Sequence, residues 1–177
     1  ILNTKSSLFV KRPWKEAIEG LASRGLIVLQ ISVSALSYRI SSTLEPKAPS
    51  GRERLEALSN VSDVVPSVVR LQPIIPGLLE VEVDDLINAL TASGVKHVIT
   101  EFIRETPSGL KALYARLNGF GVEFNQALWE SYGISGEGLL RPRLEYRYSV
   151  LEELKLRLRK HGITMATCKE GLFQFHD

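Results

Sequence analysis

One cysteine, Cys168, stands in 177 residues, so no disulfide can form within the chain and a reducing cytosol is the expected compartment. Charge of neither sign dominates. With 22 Lys and Arg against 20 Asp and Glu the net charge is +2, too little for a basic field that would by itself point to nucleic acid. No apolar run approaches the roughly 20 residues that a membrane-spanning helix needs, and no signal-peptide pattern is visible. The three histidines, His97, His161 and His176, show no metal-binding spacing with carboxylates or with Cys168. A Walker loop, a dinucleotide-binding glycine fingerprint and a Gly-x-Ser-x-Gly elbow are all missing. What is left is the composition of an ordinary globular protein, 44% hydrophobic and 24% charged. Its length suits one domain, or one with a small appendage.

The first residues, Ile1-Leu2-Asn3, read as the end of a strand, and the chain is expected to begin inside a domain, as a piece of a longer protein. Pro13 suits the first turn of a helix, in which Trp14, Ala17, Ile18 and Leu21 recur at helical spacing until Gly25. Leu26–Ser34 is rich in β-branched and aliphatic residues and reads as a buried strand. It turns polar toward its C-terminal end, where Gln30, Ser32 and Ser34 share one face. A polar loop with Pro46 and Pro49 spans residues 35–50, and Ser50 caps a helix running to Asn60. Val68–Pro76 is the next strand, with Pro73 and Pro76 removing two backbone donors. A helix through Val83, Leu86, Ile87 and Leu90 ends at Gly94, and His97–Arg104 is a further strand. The repeated β-α pattern predicts an α/β fold with parallel strands near 1–4, 26–34, 68–75 and 97–103, in sequential order, with the helices outside. Beyond Pro107 the pattern predicts a helix at Leu110–Leu117, another over Phe120–Tyr132, a flexible break at Gly133–Gly138, a charged helix Tyr148–Lys160 and a short strand Ile163–Cys168. The expected organisation is therefore a parallel α/β unit over residues 1–105 and a mainly helical region over 106–177 packed on it.

Polar residues at strand ends are the candidates for chemistry, because ligands of open α/β sheets and barrels gather at the C-terminal ends of the strands. Lys5 could hold a ligand carboxylate or hydroxyl, or be a solvated loop lysine. Ser32 and Ser34 could face a ligand, or bond to nearby backbone. Glu45 and Lys47 could pair with each other in solvent. Arg54 lies one helical turn before Leu58, from where it could reach over the sheet end to a carboxylate or simply face solvent. Glu101 and Arg104 alternate on the fourth strand. Either could line a cavity, or the two could serve in an ion pair with a neighbouring element. Cys168 reads as a small core cysteine or as an accessory ligand or hydrogen donor. Arg141, Arg143 and Arg147, with Tyr146 and Tyr148, form a basic and aromatic cluster that could meet nucleic acid or be a solvated approach to the last helix.

Several of these stretches carry a resemblance. The strand ending Ser32-Val33-Ser34, the loop Leu44-Glu45-Pro46-Lys47-Ala48-Pro49-Ser50 and the helix Arg52-Glu53-Arg54-Leu55-Glu56-Ala57 resemble the radical S-adenosylmethionine (SAM) superfamily, and more narrowly its spore photoproduct lyase-like branch. Asn3-Thr4-Lys5-Ser6, Gln72-Pro73-Ile74-Ile75-Pro76-Gly77 and Thr100-Glu101-Phe102-Ile103 agree with it in order, so the resemblance runs over residues 1–105. It implies strands three to six of a partial (β/α) barrel and an enzyme that reductively cleaves SAM at a [4Fe–4S] cluster, with a DNA lesion as the expected substrate. The three cluster thiolates of such enzymes, spaced Cys-x3-Cys-x2-Cys, are not in this chain. The resemblance therefore places the metal ligands upstream, in an N-terminal part that this chain would need as its partner. By residue match Lys5 and Ser32 resemble the polar residues that hold SAM, with Ser34 the neighbouring alternative to Ser32. Arg54 joins this cofactor-side set, and Glu101 and Arg104 fall on the substrate side. Leu78-Leu79 replaces the Asn-Asp that follows Pro-Gly in the branch. Two other readings of the same pattern are a non-catalytic α/β domain that binds a nucleotide or phosphate at its strand ends, and a half barrel of the aldolase type.

Overall fold

The computed structural model describes residues 1–133 and 138–177. In chain order it forms β1 (Leu2–Thr4), α1 (Trp14–Ala22), β2 (Leu29–Val33), α2 (Tyr38–Leu44), α3 (Gly51–Ser59), β3 (Ser67–Ile74), α4 (Leu78–Ala92), β4 (His97–Phe102), α5 (Pro107–Leu117), β5 (Trp129–Tyr132), β6 (Leu139–Pro142), α6 (Leu144–Lys160) and β7 (Thr164–Thr167). Strands β1-β2-β3-β4-β7 make one sheet in that order, and every neighbouring pair is parallel. The four strands expected from the β-α repeat are all present, and β7 adds a fifth. Ribbon β5–β6 is a separate antiparallel pair.

Helices cover one face of this sheet. Ile31, Val33, Val69, Leu71, Val98, Phe102 and Met165 point to that face and are buried against Leu55 and Leu58 of α3, Leu86 and Leu90 of α4, and Leu151, Leu154 and Leu158 of α6. The opposite face, with Ser32, Arg70, Gln72, Ile99 and Glu101, is only half-buried. This is an open five-stranded parallel α/β sheet. A second apolar cluster, built from Ala35, Ile40, Ile75, Leu110, Tyr114, Leu117 and Trp129, gathers α2, α5 and the ribbon over the C-terminal ends of β2 and β3.

The start of α3 follows from local chemistry. Ser50 Oγ accepts from the Glu53 backbone N–H at 3.2 Å, and the Glu53 carboxylate accepts from the Ser50 N–H at 2.7 Å, a reciprocal capping box. In five places the structure departs from the sequence pattern. The loop expected over 35–50 contains α2, capped by Ser37, whose Oγ accepts from Ile40 N at 3.3 Å, and anchored by buried Ile40 and Ser41. The helix expected over Phe120–Tyr132 does not form. Gly121 takes a left-handed φ of 76°, which ends the preceding turn, and Trp129–Tyr132 pairs with β6 as a strand. Helices α4 and α6 begin at Leu78 and Leu144, earlier than their apolar stripes suggested. In α1 only Ile18 is buried, and Trp14 is 58% exposed. The break expected at Gly133–Gly138 falls on residues 134–137, outside the described residues.

Gly51, the first residue of α3, packs where no side chain fits. A Cβ there would lie well inside van der Waals contact with the Ala35 carbonyl oxygen and 2.9 Å from Val33 Cγ1. Because backbone is the obstacle, Gly51→Ala must push α3 off β2. Its expected cost is about 1–3 kcal/mol, read as a lowered Tm in thermal unfolding followed by circular dichroism. A Tm equal to wild type would show that α3 is not seated this closely.

Candidate functional site

The C-terminal ends of β1 and β2 converge on one carboxylate, that of Glu45. Lys5 Nζ, just past β1, lies 2.6 Å from Glu45 Oε1. Ser34 Oγ, just past β2, donates to the same oxygen at 2.9 Å. Arg54, reaching back from α3, donates to Glu45 Oε2. The rest of the Arg54 guanidinium is also engaged, with Nε on the Pro49 carbonyl and Nη1 on the Ser32 carbonyl, both at 2.7 Å. Arg54 is 1% exposed. A buried arginine with a carboxylate and two carbonyls around it is a structural clamp, so the expected reach over the sheet end does occur, but to a carboxylate of the protein itself. Burial alone would raise the Glu45 carboxyl, yet the bonds from Lys5, Arg54 and Ser34 outweigh it and hold this group below the ordinary carboxylate range. The solvent pair of Glu45 with Lys47 is thus replaced by pairs with residues 40 and 9 positions away, half-exposed Lys5 and buried Arg54. Lys5 itself remains half-exposed, with one of its three donors on Glu45.

A second group lies at the end of β4. Arg104 meets Glu101 at 2.6 Å and Glu170 at 3.1 Å, and also donates to the Lys169 carbonyl at 2.8 Å. Glu170, whose side chain is 1% exposed, accepts from Phe102 N at 3.0 Å and meets the buried Arg147 at 2.7 Å. Glu101 and Arg104 therefore pair with each other, and both line one open cavity of about 510 Å³ together with Ser32, Gln72, Pro73 and Glu105. Arg104 stands past the end of β4, where strict alternation no longer applies, which is why both side chains reach the same space. Of the basic and aromatic cluster, Arg147 is a core residue bonded to Glu170 and to the Pro142 carbonyl at 3.0 Å, not a solvated one. Arg141 pairs with Glu130 at 2.8 Å, and Arg104 and Arg141 each lie 4.9 Å from the centre of the Tyr132 ring.

Cys168 is half-buried just after β7, where its N–H bonds the Thr100 carbonyl at 2.8 Å. Sequence reasoning did not single out Glu45 as the hub, Arg70 and Gln72 as a polar stripe, or Glu170 as a buried partner. Only the stripe had a local signal, since alternation along β3 puts Arg70 and Gln72 on one face.

The fold and the gathering of polar side chains at the strand ends define an open parallel α/β sheet with its candidate site at the C-terminal mouth. This fold is similar to that of spore photoproduct lyase. Against that enzyme complexed with dinucleoside spore photoproduct the TM-score is 0.67, with 15% identity, over 94% of this chain and 50% of that one. A cysteine-to-alanine mutant with dinucleoside spore photoproduct gives 0.66 at 14% identity, and a cysteine-to-serine mutant 0.65 at 15%, with the same shares of both chains. The chain thus spans about half the length of these solved structures. No family model matches the chain, and no curated protein matches it. Among the described residues no helix is long and apolar enough to cross a membrane.

The side chains present fit the two implied cofactor groups unequally. Lys5 and the Ser32 hydroxyl offer charge and donors at the mouth, as the polar ends of SAM require, whereas the one donor of Ser34 is spent on Glu45. For a [4Fe–4S] cluster the donor set does not fit. The chain has one thiol, and the described residues hold no group of three or more His, Cys, Asp or Glu that could bind a metal ion.

Glu45 makes a direct test of this geometry. Its folded carboxyl titrates below its unfolded one, so its stabilisation is fully present above the unfolded value of roughly 4.3 and is lost as pH falls through the lower folded value. At pH 7, Glu45→Gln leaves Arg54 buried without its counter-charge and should cost about 3 kcal/mol or more. In urea unfolding at a series of pH values, the gap between wild type and variant should close as the acid limb is crossed. A gap that stays constant would mean that the charge of Glu45 is not what clamps the loop.

Proposed function

We propose that this chain supplies the C-terminal part of a radical SAM enzyme of the spore photoproduct lyase-like branch, acting on a nucleic-acid lesion. The observation that carries the reading is a coincidence of place. Lys5, the Ser32–Ser34 strand end, the Glu45-Pro46 loop and Arg54 carry the resemblance in sequence, and they meet at the mouth of a sheet with the fold of spore photoproduct lyase. SAM bound at a [4Fe–4S] cluster supplies a carbon radical through reductive cleavage of its carbon–sulfur bond. In this reading the cluster ligands lie outside these 177 residues.

Within the chain the roles divide by exposure. Half-exposed Lys5 would hold a carboxylate or hydroxyl of SAM, and Ser32, on the cavity wall, would bond a neighbouring polar group, with Ser34 beside it. Arg54 acts behind them as a positioning residue, because its donors are taken up in setting the Ser32 carbonyl and Glu45. Glu101 and Arg104 would wall the substrate side. Residues 1–105 would be the second half of the barrel, and residues 106–177 would complete the sheet with β7 and cover it with α6. Strand β1 is an edge with Ile1 and Leu2 exposed. An unpaired apolar edge invites further strands, and the N-terminal part would add them there.

Two measurements test the reading. The 177-residue chain alone, treated with iron and sulfide, is expected to take up no stoichiometric [4Fe–4S] cluster. A brown protein with four irons per chain would overturn the division of labour. In a protein that includes the upstream part, Lys5→Ala removes a charge-assisted bond worth about 1.5–3 kcal/mol and should weaken SAM binding roughly 10- to 150-fold. Ser32→Ala, losing a neutral bond of about 0.5–1.5 kcal/mol, should weaken it less. If both variants bind SAM as tightly as wild type, the cofactor site is elsewhere.

A further inference from the structure

The open face of the sheet carries a cation that forms no ion pair among the described residues. Arg70, near the middle of β3, is in register with Ser32 of β2 and Ile99 of β4 and is half-buried. Among the described residues its partners are two glutamine side chains. Nε and Nη2 donate to Gln72 Oε1 at 2.9 and 2.6 Å, and Nη1 donates to Gln30 Oε1 at 3.2 Å. A guanidinium has only donors. Each amide must therefore turn its oxygen toward Arg70 and its NH2 group away, and this fixes both orientations by chemistry. Gln72 Nε2 then stands buried without a hydrogen-bond partner among the described residues, a state that is costly for a polar group.

Gln72 keeps to the open face by the alternation of β3, just before the register with β4 shifts between Leu71 and Ile74. Gln72 lines the 510 Å³ cavity beside Ser32 and Arg104, and Arg104 Nε is a second buried donor without a partner among the described residues. The wall carries two acids, Glu101, matched by Arg104 at 2.6 Å, and Glu105, whose carboxylate accepts from the Thr106 N–H at 2.7 Å. Arg70 forms no ion pair with either among the described residues, so what its own surroundings leave unmet is an N–H acceptor for Gln72 and a counter-charge for the guanidinium. A neutral carbonyl would meet the first alone, whereas an oxyanion meets both.

We infer that Arg70, Gln30 and Gln72 form an oxyanion site that takes a phosphate or carboxylate group of the ligand at the sheet mouth. Gln72 contacts the anion, and Arg70 supplies the charge and positions both amides. The inference rests on the proposed function for the idea that a ligand occupies this mouth, but its test needs neither SAM nor cluster, so either can fail without the other.

The test is side-chain 1H–15N NMR of the 177-residue chain, titrated separately with inorganic phosphate and acetate, with sodium chloride at matched ionic strength as control. Saturable shifts of the Gln72 NH2 and Arg70 Nε–H signals are expected. A response to phosphate alone assigns the site to a phosphate, a response to acetate alone to a carboxylate, and a response to both to either group. Gln72→Glu places a carboxylate against Arg70 and should weaken anion binding at least about tenfold. Gln30→Glu, read in the same way, covers the case in which the first variant does not fold. Silence toward both anions, shifts that chloride reproduces, or binding undiminished in the folded variants would overturn the site.

Discussion

A single buried guanidinium organises the mouth of this sheet. Arg54 leaves water almost completely, and a charge so placed is tolerable only if each of its nitrogens finds an acceptor and a counter-charge lies against it. The Ser32 carbonyl, the Pro49 carbonyl and Glu45 meet that demand. The demand has a geometric consequence, because the three acceptors belong to β2 and to two parts of the loop that follows it. The loop is drawn over the strand end, and Glu45 is carried to where Lys5 and Ser34 reach it. One carboxylate with two cations gives this cluster a net charge of +1.

The other side of the mouth uses the same device with different residues. Glu170 is buried between Arg104 and Arg147, and its backbone contact to Phe102 ties the turn after β7 to the end of β4. Such buried pairs contribute little net stability against an apolar alternative, but breaking one is costly. Their effect here is on geometry. The Glu45 and Glu170 clusters brace the two flanks of the sheet face that carries half-buried Arg70 and Gln72 and buried Gln30.

Helices on one face and a half-buried opposite face make this sheet an open structure, and its overlap with about half the length of spore photoproduct lyase is consistent with that form. The core under the helices is continuous from β2 to β7, and a second apolar cluster seats α5 and the ribbon over the strand ends. The region after Pro107 is therefore integrated with the sheet, contributing its last strand and its largest covering helix.

The parallel order of the first four strands, the cap of α3 and the polar end of β2 were legible in the chain itself. Each depends on neighbours within a few positions: an apolar run bounded by glycine or proline, a serine three residues before a glutamate, an alternation of period two. The course of residues 120–132 was not legible, because Trp129–Tyr132 becomes a strand only by pairing with Leu139–Pro142. The roles of the charged residues were not legible either. Arg54, Arg147 and Glu170 look like surface residues one at a time, and Glu45 has a nearer cation in Lys47. Which cation a carboxylate meets depends on where distant segments are brought by strand register and helix packing. The candidate residues were therefore written in the sequence, while the tertiary structure alone decided which of them face a ligand and which hold one another in place.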